Sequence, residues 1–387
     1  MNCLAPLLKR CQCWRKPDEN SEPGFHLVQP LSSSRFISFR RFRKPGPAKP
    51  SVSCFLLWAD DCFLYCFGGR YAGDPYPLEQ AWRLNLITER WEQLWTASSS
   101  YPADSFSMAF HEEGTQLLIA ERRLDKDQNS SSHLHLVPLR GAQTGRLQEI
   151  PQDPNRLLQP FVGEQALLSG GGSDFYLVTS SGLYLEAFRM SLRRAKGLLT
   201  GEWSKIGERG QTSIGLIGFR QLDALVVNSG EWVPVCTLGD PRVSENDGFP
   251  QGRKAATVLR YKDRIYLISG LDGRHLMRDV WSLDVSTGEP YAWSKCHFYL
   301  PTPRFSIFGP PKAVLTPAGC LYVMWRRKSG EVDVHRLWLE SPSLAQTALR
   351  VLLKSQPKLI SRRKNQLHRF GIPPSCLYWL KEPDQLH

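Results

Sequence analysis

The stretch from Ile265 to Trp293 reads Ile265-Tyr266-Leu267-Ile268-Ser269-Gly270, then Asp279-Val280-Trp281-Ser282-Leu283-Asp284, then Thr287 and Trp293. A continuous apolar run ends at a small-residue pair. After a loop, apolar and polar residues alternate from 279 to 284, the period of a half-buried strand. Thr287 begins a turn and Trp293 opens a further strand. These residues read as successive short strands of one antiparallel meander.

The same ladder recurs near the other end of the chain. Gly68-Gly69 is followed by Trp82, Leu84, Thr88 and Trp91. In both ladders Leu sits two residues and Thr six residues after the first Trp. Thr88-Glu89-Arg90-Trp91 also reappears as Thr200-Gly201-Glu202-Trp203. A Trp at that offset is expected to start a strand and to pack between neighbouring units.

Six apolar runs centre on Tyr65, Leu118, Tyr176, Leu225, Tyr266 and Tyr322, at steps of 53, 58, 49, 41 and 56 residues. A period near 50 is that of units that each form one four-stranded sheet and bury their faces only against neighbours. The glycine doublet, the two-strand aromatic core and the later Trp resemble the kelch repeat. That resemblance implies an all-β fold, a six-bladed kelch-type β-propeller over residues 52–340. The pattern departs from the repeat in places. The doublet is missing at Ala120-Glu121, Thr179-Ser180 and Trp325-Arg326, and only about 20 residues separate Val227 from Gly248. The fourth blade is therefore expected to be short of a strand.

The flanks read differently. Residues 1–51 are rich in Pro, Ser and Arg without a period of 2 or 3.6, as a disordered basic tail would be. From Ser341 a helix is expected, with Ser341 as cap and Pro342 in its first turn. Leu344, Ala348, Val351 and Leu352 fall on one apolar stripe. Pro357 ends that helix, a second one ends near Gly371, and Ile372-Pro373 opens an apolar box reaching residue 380. Residues 381–387 are a tail. The segment 341–380 resembles the elongin and cullin boxes of ubiquitin-ligase substrate receptors. The resemblance implies that Leu344, Ala348 and Leu352 meet elongin C, and that Ile372 and Pro373 meet cullin-2. Ala348 stands where the motif usually has Cys.

Composition narrows the function classes. Forty-nine Lys and Arg against 37 Asp and Glu give a net charge of +12, partly concentrated at Arg35–Lys49 and Lys354–Arg369. No nucleic-acid-binding motif accompanies these runs, so they read as a solvated arm and a solvated helix face. No apolar run reaches membrane-spanning length. The 10 Cys form no paired metal motif, and the 9 His are dispersed, so neither metal nor cofactor is expected. Phosphate-cradling loops and nucleophile elbows are absent. A non-catalytic binding protein of the cytoplasm and nucleus is the expectation.

A propeller binds partners across a loop-lined face. The resembled receptors hold a substrate's C-terminal tail there, Arg and Ser gripping the carboxylate, and the resemblance implies a tail ending in Gly. An always-charged planar fork suits that task. Arg253 and Arg304, just before the inner strands of two blades, and Arg156 and Arg209 at weaker matches, are the candidates. Protein substrates, elongin C, elongin B and cullin-2 are the implied partners. The alternative is a kelch scaffold for actin or a signalling enzyme, in which residues 341–380 brace the propeller.

Overall fold

A computed structural model describes residues 37–38, 55–59, 63–68, 80–86, 90–96, 103–111, 116–124, 130–138, 148–152, 164–171, 174–180, 184–195, 198–210, 218–273, 275–300, 310–326, 332–340, 347–348, 351–352 and 355–356. They form a β-propeller of antiparallel meanders. The first blade runs Phe55–Ala59, Phe63–Gly68, Gln80–Asn85 and Arg90–Thr96. The second runs Ala103–His111, Gln116–Leu124, Ser130–Pro138 and Gln148–Glu149. The third runs Glu164–Gly171, Asp174–Ser180, Tyr184–Ala195 and Leu198–Gly210.

The expectation of six separate blades is corrected at the fourth repeat. Among the described residues there are five large sheets, not six. The fourth repeat contributes one hairpin, Gln221–Val226 and Glu231–Leu238. Its second strand pairs in parallel with Tyr291–Lys295 through Thr237↔Tyr291 and Leu238↔Ala292. The result is one six-stranded sheet that also holds Val280–Asp284, Arg264–Ile268 and Thr257–Tyr261. The reason is length: the short spacing after Val227 leaves room for one hairpin, and its open strand edge is satisfied by the neighbouring sheet.

The last blade combines Lys312–Leu315, Cys320–Arg326 and Val332–Trp338 with Ile37–Ser38. Ile37 pairs with Val334 and Ser38 with Asp333. Two residues of the stretch expected to be a disordered tail thus form a strand. The run is too short to show a period, and the exposed edge of Val332–Trp338 supplies what it lacks.

Apart from the junction of the third blade with the fourth hairpin, the interfaces between blades are apolar layers. Leu64, Cys66, Leu84 and Trp91 of the first blade pack on Cys320, Tyr322 and Met324 of the last, which closes the ring. Tyr65 and Phe67 pack on Leu117, Ile119 and Val137 of the second blade. Trp203 joins Leu134 and Ile150 between the second and third blades, and its Nε1 donates to Gln152 Oε1 at 2.9 Å. Trp91 and Trp203 therefore sit between blades, as their spacing implies. Trp293 packs instead within the six-stranded sheet, against Phe219 of the fourth repeat, with its Nε1 donating to the Phe219 carbonyl at 3.1 Å.

The third blade meets the fourth hairpin differently, by close backbone approach. Gly230 has φ +71°, and a Cβ there would lie 1.7 Å from the Ile206 carbonyl oxygen. A Cβ on Gly207 would lie 2.5 Å from the Gly230 oxygen. The Arg209–Asp223 ion pair spans the same junction.

Candidate functional site

Strand direction fixes which loops share a face. Thr257 and Val280 begin their strands, and Ile268 and Lys295 end theirs, on one side of the six-stranded sheet. Glu231–Leu238 runs parallel to Tyr291–Lys295, so it ends on that side too. Segments 239–256, 269–273, 275–279 and 296–300 therefore form a single loop-lined face. The small hairpin Leu271–Asp272 with His275–Leu276 belongs to it. Mutual backbone hydrogen bonds clip Lys254 to Leu271, at 2.9 and 2.8 Å.

Arg253 lies in this face, before the inner strand, as its sequence position implies. Its side chain is 0% exposed. Nη1 donates to Asp279 Oδ1 at 2.6 Å and Nη2 to Asp279 Oδ2 at 3.0 Å. Nε donates to the Gln251 carbonyl at 3.0 Å, and Nη1 also to the Ser269 carbonyl at 3.1 Å. The glycine of the Ser269-Gly270 pair explains itself here. Gly270 has φ +123°, and a Cβ on it would meet the Arg253 stem at 3.0 Å. Asp279 Oδ2 also accepts from Trp281 Nε1 at 2.7 Å. Burial by itself would raise the Asp279 carboxyl, but the bonds and charge from Arg253 outweigh it and hold the group below the ordinary carboxylate range.

A second internal pair stands beside it. Asp240 is buried and accepts from Arg242 Nε at 2.8 Å, Arg242 Nη2 at 2.6 Å and the Lys295 backbone N–H at 2.9 Å. Burial opposes ionisation of Asp240 as well, and these donors overcome it, lowering its pKa. Arg242 Nη1 also contacts His297 Nε2 at 3.4 Å.

Arg209, the weaker candidate, has Nη1 2.5 Å from Asp223 Oδ1, off the hydrogen-bond direction. It links the third blade to the fourth hairpin. Arg156 and Arg304 lie outside the described residues. Asp279 and Asp240 were not singled out in the sequence. Asp279, two residues before a strand Trp, carries the only local signal.

After the last blade, residues 347–348, 351–352 and 355 have helical backbone, and Gln356 N–H donates to the Leu352 carbonyl at 2.8 Å. Ala348 is exposed, Val351 is 64% exposed and Leu352 is half-buried. Leu344, Ile372 and Pro373 lie outside the described residues, as does most of the expected helical box. No helix among the described residues is long and apolar enough to cross a membrane.

The sheets and this face define a β-propeller with a single loop-lined face on the side where these strands end. No protein-family model matches the sequence. The chain is similar to kelch domain-containing protein 10 of Homo sapiens and of Bos taurus, each 24% identical over 89% of this chain and 82% of the relative. The protein of that name in Xenopus laevis is 24% identical over 90% of this chain and 89% of its own length.

Proposed function

We propose that the chain is the substrate-recognition subunit of a cullin-2, elongin B and elongin C ubiquitin ligase, acting in the cytoplasm and nucleus. The propeller binds the substrate and the segment after it docks the ligase. The observation that carries this reading is the exposure of Ala348 and Val351 on helical backbone behind the last blade. A helix serving only to brace the propeller would bury that stripe. The similarity to the elongin-box and cullin-box patterns at Leu344, Ala348, Leu352 and at Ile372-Pro373 supports the same assignment. The substrate contributes an extended tail ending in Gly, and nothing in this role requires catalysis by the chain itself.

One observation favours a second reading, a kelch scaffold for actin or a signalling enzyme. Arg253 and Arg209 hold internal carboxylates, Asp279 and Asp223. A propeller whose arginines are so engaged has lost those two as grips for a substrate carboxylate.

The test is capture of purified elongin B and C by the intact chain and by Leu344→Asp. The substitution places a charge against an apolar pocket and costs on the order of several kcal/mol. Capture that disappears in a folded variant is the expected result. A folded intact chain that captures neither elongin overturns the ligase reading and leaves the scaffold.

A further inference from the structure

Away from the loop-lined face, the second blade brings three polar side chains into line. Ser131 and His133 lie two residues apart on the strand Ser130–Pro138, so they share one side of the sheet. Ser131 Oγ lies 3.0 Å from His133 Nε2, and His133 Nδ1 lies 2.8 Å from Glu149 Oε1. Glu149 comes from the outer strand Gln148–Glu149, held in register by His135↔Glu149 and Leu136↔Gln148. It follows His133 by 16 residues, so the grouping is assembled by the sheet and not by a local motif. The His135 ring stacks on that of His133, with centroids 6.3 Å apart and an interplanar angle of 14°. His135 is itself buried, so the His133 ring rests on a fixed floor.

The contacts set the direction of each hydrogen bond. A carboxylate only accepts, so the neutral imidazole carries its proton on Nδ1 and donates it to Glu149. Nε2 then presents a lone pair, and the Ser131 hydroxyl donates to it. A nucleophile, a general base and a group that orients the base are thus in sequence. Ser131 is exposed and the His133 side chain is 26% exposed, so a reactant reaches the hydroxyl directly from solvent.

We infer that Ser131, His133 and Glu149 form an acyl-transfer site for small unhindered esters, separate from partner binding and independent of the ligase reading. Ser131 Oγ bonds to the ester carbonyl carbon while its proton passes to His133 Nε2. The carbon–oxygen bond to the alcohol breaks, and the alcohol leaves with that proton. Water then attacks the acyl-serine and gives a proton to Nε2. The acid leaves as Ser131 Oγ takes that proton back. Glu149 is a positioning residue that holds the ring in the tautomer both steps need. An open surface excludes little water, so turnover is slow and relies on general-base assistance, a factor on the order of 10²–10⁴.

The test uses the full chain and two probes. A fluorophosphonate forms a stable bond to an activated serine, and para-nitrophenyl acetate releases a coloured phenolate. Peptide mapping should place the phosphonate on Ser131, and Ser131→Ala should remove it. His133→Gln should slow labelling at Ser131 by about tenfold or more. Glu149→Ala should lower kcat for the acetate by about tenfold and leave KM unchanged, since Glu149 touches no substrate. Ser229→Ala, at an exposed serine elsewhere, should behave as the intact chain. Melting curves check that each variant is folded. Glu149→Ala, at a side chain 60% exposed, serves if His133→Gln is not. A folded intact chain that takes up no phosphonate at Ser131 overturns the inference, as does a folded His133→Gln labelled at the intact rate. Elongin capture by the same preparations tests the ligase reading alone, so the failure of one leaves the other standing.

Discussion

Arg253 and Asp279 meet fork to fork: Nη1 lies 2.6 Å from Oδ1 and Nη2 lies 3.0 Å from Oδ2. The pair joins the loop before one strand to the start of another, 26 residues later. The arginine stem passes over Gly270, whose φ of +123° suits glycine and where an added Cβ would press on the stem at 3.0 Å. Glycine, arginine and aspartate thus form one bracing unit inside the loop-lined face. The arginine is buried because the face needs it as a brace.

Removing the aspartate should therefore be costly. Asp279→Asn leaves a buried guanidinium without its counter-charge, a loss of about 3–5 kcal/mol. Urea unfolding should show a lower midpoint with an unchanged slope. Asp247→Asn is the comparison, since Asp247 is 74% exposed, and an exposed pair contributes little. Equal midpoints for the two variants would remove the bracing role.

Acid should expose the same dependence. Asp279 and Asp240 both have folded-state pKa values below the ordinary one, despite burial that acts the other way. A depressed carboxylate pKa contributes stability that is fully present above the unfolded value of about 4 and is lost as pH falls through the folded value. Thermal midpoints of the intact chain should be level above about pH 5 and fall steeply below about pH 4. Asp279→Asn should show a shallower fall over that acidic window.

The junction between the third blade and the fourth hairpin makes a prediction about backbone. Gly230→Ala would place a Cβ 1.7 Å from the Ile206 oxygen at a positive φ. It should destabilise by more than about 1 kcal/mol, lowering Tm by at least about 2 °C. Gly210→Ala, with nothing within 4 Å of its added Cβ, should leave Tm where it is. Calorimetry on the two variants decides.

Ring closure can be tested in the core shared by the first and last blades. Met324 is 0% exposed there, so Met324→Ala should cost about 2–5 kcal/mol. Val258 is 60% exposed on an inner strand, and Val258→Ala should be close to neutral in the same denaturation assay.

Much of the blade pattern was legible in the residues. Trp91 and Trp203 lie between blades because a bulky ring on a strand has nowhere else to bury itself, and their shared offset from Thr announced it. The alternation across 279–284 marked the strand Val280–Asp284. The fourth repeat was legible only as a shortage of residues. Nothing local says that its hairpin joins the next sheet in parallel, since that depends on an edge more than 50 residues away, at Tyr291 and Ala292. Ile37–Ser38 was illegible for a related reason, because two residues make no period and their strand exists only against Val334 and Asp333.

The candidate site divides along the same line. An arginine before an inner strand can be found from sequence, and Arg253 was. Whether its fork is free depends on which carboxylate the fold brings to it. Sequence by itself determined the strands and the ring of repeated sheets, because side-chain alternation and bulk act locally. Only the tertiary structure decided that Arg253 is taken by Asp279, because pairing of charges is settled by distance in space and not by distance along the chain.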